Sequence, residues 1–296
     1  MTLDPVISDF LARAGWPDPA IVPITPDWSP RHFWRLARAD GARAVLIHAP
    51  MAVPGHSLDD FARLAQVLRG GGLSAPAIFA QEPGLLLVED FGDTPIDTPA
   101  IEGEGYATAI DALAVLRVLP TDGLVAYRDG YIYKKLALFS DDPAWLAAWE
   151  AAKAALPPCP SVFAHMDYKA GNLHWLAARA DVARVGILDF QAAQCAPFTY
   201  DVVNLLEDAR RNLDPAFKAQ MKQRFYDALP DDWKPLFDAW YVFMAAQFHA
   251  RVLGQVRGQA NAAPDIVPRL EHYLAAELRH GALAPIRPFF DALLRG

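Results

Sequence analysis

The sequence predicts an α+β chain in two parts, a small antiparallel sheet over residues 1–92 and a larger, mainly helical body over residues 93–296. Three observations point that way. Before Gly92 the apolar residues fall in short runs broken by Gly, Pro and Asp, as strands and their turns require. After Gly92 they recur at three- and four-residue spacing over stretches of a dozen residues or more, the period of amphipathic helices. One apolar strand–loop–strand segment, near residues 165–191, interrupts the helical pattern.

Taken in order, residues 4–14 read as a short helix. The proline-rich stretch 17–30 cannot be one, because each Pro removes an N–H donor. Residues 33–38 and 44–48 are strand-like about Ala39, Asp40 and Gly41, a hairpin turn sequence. Residues 57–69 read as a helix, with Ser57 and Asp60 approximating a capping box and three glycines at 70–72 ending it. Residues 78–81 and 85–89 form a second expected hairpin about Glu82, Pro83 and Gly84. Beyond Gly92, helices are expected over about 103–117, 143–155, 200–211, 215–228, 231–257 and 265–280. No internal repeat or low-complexity segment is visible.

The 296 residues, 53% hydrophobic and 21% charged, suffice for one large domain or two lobes with a real core. No apolar run approaches the roughly 18 residues of a membrane helix, so no membrane partner is expected. The N-terminus lacks the basic and apolar regions of a signal peptide. Cys159 and Cys195 have no metal-ligand spacing and read as reduced thiols of a cytoplasmic protein. The net charge of −8, with no basic tract, argues against nucleic-acid binding. The eight histidines are scattered without the spacing of a zinc site. A monomer or weak dimer acting on a small molecule is expected.

The chemistry is concentrated in the strand–loop–strand segment. His165, Asp167 and Asn172 fit H-x-D-x-x-x-x-N, the catalytic loop of kinases, and an apolar run then ends on Asp189 and Phe190, where kinases place a metal-binding Asp. Alone the first pattern is weak; two flanking apolar strands and a second Asp 22 residues after the first make it specific. Phosphoryl transfer needs a carboxylate beside the attacking hydroxyl and oxygen ligands for Mg²⁺ near the ATP phosphates. Asp167 would take the first role, Asn172 and Asp189 the second, all three converging around one Mg-ATP site. The plainer readings are a loop Asp, a turn-stabilising Asn and an Asp capping a strand end. His165 reads as a structural support of the loop. An extended linker at Glu89, Asp90 and Phe91 can offer backbone N–H and C=O groups to an adenine edge.

These landmarks resemble the aminoglycoside phosphotransferase/choline kinase superfamily and, within it, the bacterial anomeric kinases of N-acetylmuramate and N-acetylglucosamine used in cell-wall recycling. Four segments carry the resemblance: the hairpin containing Ser29, Arg31 and Arg35; the hinge at Glu89, Asp90 and Phe91; the catalytic loop; and the metal loop from Asp189 through Gln191 and Pro197 to Tyr200 and Asp201. A weaker echo lies at Gln247, His249, Arg251 and Gly254. The resemblance implies a two-lobe protein-kinase-like fold. It implies an ATP- and Mg²⁺-dependent phosphotransferase acting on a small hydroxylated metabolite, an amino sugar at its anomeric position. It also implies that Asp201 braces the catalytic loop; read by itself, Asp201 is a helix N-cap.

The chain departs from common kinase patterns in several places. The third strand, around Ala44 to His48, lacks the phosphate-holding Lys, and Arg31 and Arg35 are either its substitutes or plain strand-face charges. No Gly-rich G-x-G-x-x-G loop is present. Met166 and Ala192 stand where the amino-sugar kinases tend to have Arg and Asp, and Lys135 where an acidic residue is expected. Lys135, Arg251 and Gln191 are candidate substrate contacts, Gln191 reading equally well as a turn-stabilising amide. Other acceptors of the same fold (aminoglycoside, choline-like or homoserine-like) stay open, as does a nucleotide-binding regulatory pseudokinase.

Overall fold

In the computed structural model, which describes residues 4–25, 31–49, 57–257 and 263–291, the chain forms two compact units. One comprises Met1–Gly105 and Gly171–Ala192, the other Tyr106–Ala170 and Ala193–Gly296.

The first unit begins with α1 (Pro5–Arg13), where the Asp4 carboxylate accepts the Val6 N–H at 2.8 Å and Pro5 takes the first helical position. β1 (Ala20–Ile24), β2 (His32–Ala37), β3 (Arg43–His48), β4 (Ile78–Glu82) and β5 (Leu85–Glu89) form an antiparallel sheet in the order β1-β2-β3-β5-β4. Alternation gives this sheet two different faces. Leu36, Ala44, Leu46, Leu85 and Leu87 pack with Ile7, Phe10 and Leu11 of α1 in one buried cluster. Val45, Ile47 and Val88, one residue out of phase, line a cavity. α2 (Leu58–Gly70) is capped by Ser57, whose hydroxyl oxygen accepts the Asp60 N–H at 3.1 Å.

The chain enters the second unit within α3 (Glu102–Leu116). β6 (Val125–Ala126), α4 (Tyr131–Lys134), α5 (Ala144–Ala154) and β7 (Ser161–Ala164) follow. β7 runs into the catalytic loop, and the chain then returns to the first unit as a hairpin of β8 (Leu173–Trp175) and β9 (Val185–Ile187). The hairpin is joined to that unit by backbone bonds, Ile96 N–H to Leu173 O at 3.0 Å and Ile187 N–H to Ser74 O at 2.7 Å. Gly186 lies so near Phe91 that a Cβ there would meet the ring at 2.6 Å. Back in the second unit, β10 (Gln194–Pro197) pairs antiparallel with β7 and parallel with β6. α6 (Tyr200–Leu206), α7 (Pro215–Asp227), α8 (Phe237–Val256) and α9 (Ile266–Glu277) complete it. Among the described residues, no helix is long and apolar enough to cross a membrane.

The α+β class and the antiparallel N-terminal sheet agree with the sequence reading; several boundaries do not. β1 lies inside the proline-rich stretch as an edge strand, where Pro23 costs no ladder bond to a further neighbour. β6 and β10 interrupt the helical part although neither is long enough to show a period of two. The helix expected over 200–211 stops at Leu206, where Asp208 turns the chain by accepting the Arg210 N–H at 3.1 Å. The helix expected over 231–257 begins only at Phe237 after a 3₁₀ turn, Lys234–Leu236, because Pro235 disfavours α geometry in the residue before it.

Candidate active site

The cavity of the first unit measures about 300 Å³ and is lined by both apolar and polar residues. Phe33, Val45, Ile47, Phe61 and Val88 supply the apolar side; Glu89, Asp90, Phe91, Asn172, His174, Asp189 and Gln191 supply polar groups and hinge backbone. The β8–β9 pairing, extended by Leu188 N–H to Asn172 O at 2.9 Å, places Asn172 and Asp189 at the same end of the hairpin. Asp189 sits in left-handed backbone geometry, φ +61°, uncommon outside Gly, Asn and Asp. Phe190 behind it is buried against Phe61, ring centroids 4.6 Å apart, which ties the loop after Asp189 to α2.

Arg31 and Arg35 part company here. Arg31, 5% exposed, reaches Asp189 with Nη2 at 3.4 Å from Oδ1. Arg35 lines the same cavity, but its Nε lies 2.8 Å from Asp90 and its two Nη atoms donate to Asp93 at 2.5 and 2.8 Å. Its guanidinium pins the end of the hinge, and the Arg35 hydrogen bond holds the Asp93 carboxyl below its ordinary range. Ser29 lies outside the described residues. The Glu89 carboxylate is bound by Arg179 and accepts the Ala77 N–H at 3.2 Å, while its own N–H donates to Ala77 O at 2.9 Å. His174, which the sequence reading missed, donates Nδ1–H to Gly92 O at 2.9 Å and holds the turn after the hinge.

The donor set suits a hard cation. Asp189 offers a carboxylate and Asn172 an amide oxygen. Gln191, 7% exposed, donates Nε2–H to Asp189 at 2.8 Å, and its buried Oε1 has no hydrogen-bond partner among the described residues.

In the second unit the catalytic loop is held from below. Met166 takes φ +76°, a strained geometry for an unbranched apolar residue. Asp201 stabilises that turn: its carboxylate accepts the His165 N–H at 2.7 Å and the Met166 N–H at 3.1 Å. Asn204 adds Nδ2–H to Met166 O at 3.0 Å. Asp201 is therefore not an N-cap; α6 starts at Tyr200 and the side chain points to the loop. His165, fully buried, accepts the Asp167 N–H on Nδ1 at 3.2 Å. Asp167 in turn pairs with Lys169, Nζ to Oδ2 2.8 Å. Lys169 is a second residue the sequence reading missed, although a cation two positions after Asp167 was visible. Lys135 and Arg251 also lie in this unit, Lys135 within electrostatic reach of both Arg251 and Asp167.

Burial raises the Asp201 pKa to about 6; His165 and the two backbone N–H groups pull it down without cancelling that effect. A raised acid pKa means the native state holds its proton more tightly than the unfolded chain. The group's contribution to stability therefore grows as pH falls from about 6 toward its ordinary value near 3.8. The ionised form that grips the loop is lost over the same window. Turnover should fall as pH drops through about 6. Asp201→Asn should show a lower plateau from which this acid limb is missing; an unchanged limb in the pH–rate profile would assign it to another group.

One further cluster could be mistaken for a metal centre. Glu207, His249 and Glu277 offer ligand atoms within 4.8 Å of one another. Their capacity is already used. His249 contacts Glu277 through Nδ1 at 2.9 Å and the Glu207 carbonyl through Nε2 at 2.9 Å, while Lys218 and Tyr241 donate to the Glu207 carboxylate. It is an internal ion network joining the end of α6 to α7, α8 and α9.

A family model described as the phosphotransferase enzyme family matches residues 20–236. The chain belongs to that family. This phosphotransferase is 34% identical over 306 residues to a protein of Caulobacter vibrioides named N-acetylmuramate/N-acetylglucosamine kinase, covering 91% of this chain and 81% of that one. A protein of Pseudomonas aeruginosa with the same name is 29% identical, with 99% and 95% covered. Among solved structures, an amicoumacin kinase in complex with AMP-PNP superposes with a TM-score of 0.66 at 12% identity, over 92% of this chain and 91% of that one. The phosphotransferase is an ATP-dependent small-molecule kinase.

Proposed function

We propose that this kinase transfers the γ-phosphoryl group of ATP to the anomeric hydroxyl of an amino sugar, N-acetylmuramate or N-acetylglucosamine. The observation that carries the reading is the 34% identity, over nearly the whole chain, to a kinase named for those two sugars. The acceptor-side residues support it. An aminoglycoside bears several positive charges and needs carboxylates around it, whereas Lys135 and Arg251 are cations.

The residues divide the work as follows. The apolar wall of Val45, Ile47 and Val88 receives the adenine ring. Because Glu89 gives its N–H to Ala77, the N–H that reads the adenine edge belongs to Asp90 or Phe91. Arg31 replaces the strand Lys as the phosphate-side cation. Asp189 and Asn172 would hold Mg²⁺, with the Gln191 amide oxygen beside them. When bound, that ion neutralises charge on the β- and γ-phosphates. Asp167, oriented through His165 and Lys169, accepts the proton of the sugar hydroxyl as its oxygen bonds to the γ-phosphorus and the bridge to ADP breaks. The transition state is loose, so positioning and charge matter more than base strength.

The test is ADP release from Mg-ATP against a panel of amino sugars, aminoglycosides and amino alcohols, with phosphorus NMR of the product. A sugar 1-phosphate from either amino sugar, with little transfer to kanamycin-type acceptors, is expected. Robust aminoglycoside phosphorylation with no reaction on either amino sugar would overturn the substrate and leave the kinase chemistry standing.

A further inference from the structure

Arg251 is 8% exposed on α8, one turn beyond Gln247, which is 2% exposed and accepts the Tyr127 hydroxyl at 2.7 Å. The Arg251 guanidinium donates to Gln255 Oε1 at 3.1 Å and lies 5.1 Å from the Phe248 ring. Among the described residues it makes no ion pair with a carboxylate. A buried guanidinium met only by an amide and a ring is poorly compensated, because removing the charge from water is costly without a counter-ion. The other buried arginine singled out above, Arg31, has Asp189.

A second cation is brought to the same helix. The 3₁₀ segment Lys135–Leu138 packs on α8, and Gly254 makes this close approach possible. A Cβ at Gly254 would meet the Phe139 nitrogen at 2.7 Å and its Cα at 2.8 Å. Arg257, one turn further on, lies 5.1 Å from the Phe139 ring. Lys135 is therefore held on the face of α8 that carries Arg251. Its pKa is lowered by burial and then by the Arg251 charge, while the Asp167 charge raises it. Two like charges are thus held within electrostatic reach of each other and of Asp167. An anion from the acceptor relieves both the burial and the mutual repulsion.

We infer that Arg251 and Lys135 form a carboxylate-recognition pair on the acceptor side, so that an amino sugar bearing a carboxylate near its reacting hydroxyl is preferred over its neutral counterpart. This inference rests on the amino-sugar reading and narrows it. Arg251 presents a planar fork suited to two parallel bonds with a carboxylate, and Lys135 adds a point charge. N-acetylmuramate, with its lactyl carboxylate, meets that description; N-acetylglucosamine does not.

The experiment measures kcat and KM for both sugars with the wild type, Arg251→Gln, Arg251→Lys and Lys135→Gln, using the full chain. The wild type should favour N-acetylmuramate by about ten-fold or more in kcat/KM, the worth of one charge-assisted contact. Arg251→Gln should cut that preference about ten-fold or more, chiefly through KM. Arg251→Lys should restore part of it, and Lys135→Gln should shift it in the same direction by less. The preference should also weaken as salt rises. If Arg251→Gln does not fold, Lys135→Gln and the salt series still decide the matter. Turnover of N-acetylglucosamine with no wild-type preference for the carboxylated sugar overturns the inference and leaves the amino-sugar reading intact. Equal losses on both sugars in every variant do the same. Turnover of neither sugar defeats the amino-sugar reading itself, and this inference with it.

Discussion

Asp167→Ala should lower kcat on a verified acceptor by about two to four orders of magnitude, the range expected when a positioned proton acceptor is removed. The side chain is set by three features of its own unit: the strained turn at Met166 gripped by Asp201, the Asp167 N–H on His165, and the 2.8 Å pair with Lys169. None of them depends on ATP. The lost interaction is one made with the acceptor hydroxyl as it attacks, so the deficit should appear in kcat more than in nucleotide affinity. Calorimetric titration with AMP-PNP should give a Kd within about two-fold of wild type, while ADP release falls to near background. Asp167→Asn should behave similarly, because it keeps the shape and loses the proton acceptor. Wild-type turnover in either variant would remove Asp167 from the mechanism.

Asp189→Asn should cost at least about two orders of magnitude in rate and move half-activation by Mg²⁺ to higher concentration, since a hard-cation site depends on anionic oxygen. The substitution isolates charge from backbone strain. Asp189 holds φ +61°, and Asn is among the few residues that adopt this geometry readily. The fold should therefore persist. Arg31 loses the charge 3.4 Å away, but the amide Oδ1 of Asn can still accept from Arg31 Nη2 and the position stays partly in water, so thermal unfolding should shift only modestly. Thermal unfolding and a Mg²⁺ titration of turnover separate the two effects. Unchanged activity across the titration would remove Asp189 from the metal assignment.

The two substitutions probe residues that were legible in the sequence. Asp167, Asn172 and Asp189 stand out in the sequence because their spacing is fixed by a short loop and a hairpin, both local. The helix start at Ser57 was legible for the same reason: a cap is satisfied within three residues.

What the sequence determined by itself, then, is whatever closes within a few residues: the α+β order, the caps, the hairpins and the catalytic spacing. Only the tertiary structure decided the rest. It assigned the β8–β9 hairpin to the first unit through bonds to Ser74 and Ile96, about 80 to 110 positions away. It separated Arg31 from Arg35, alike on paper, by giving one to Asp189 and the other to Asp90 and Asp93. It set Asp201, a cap when read by itself, as the brace on residues 165 and 166 that the resemblance implied, and ended α6 early. It also buried Arg251 without a carboxylate partner among the described residues. Each of these outcomes depends on which charged or backbone group lies across space from another. Periodicity and spacing record only the near neighbours along the chain.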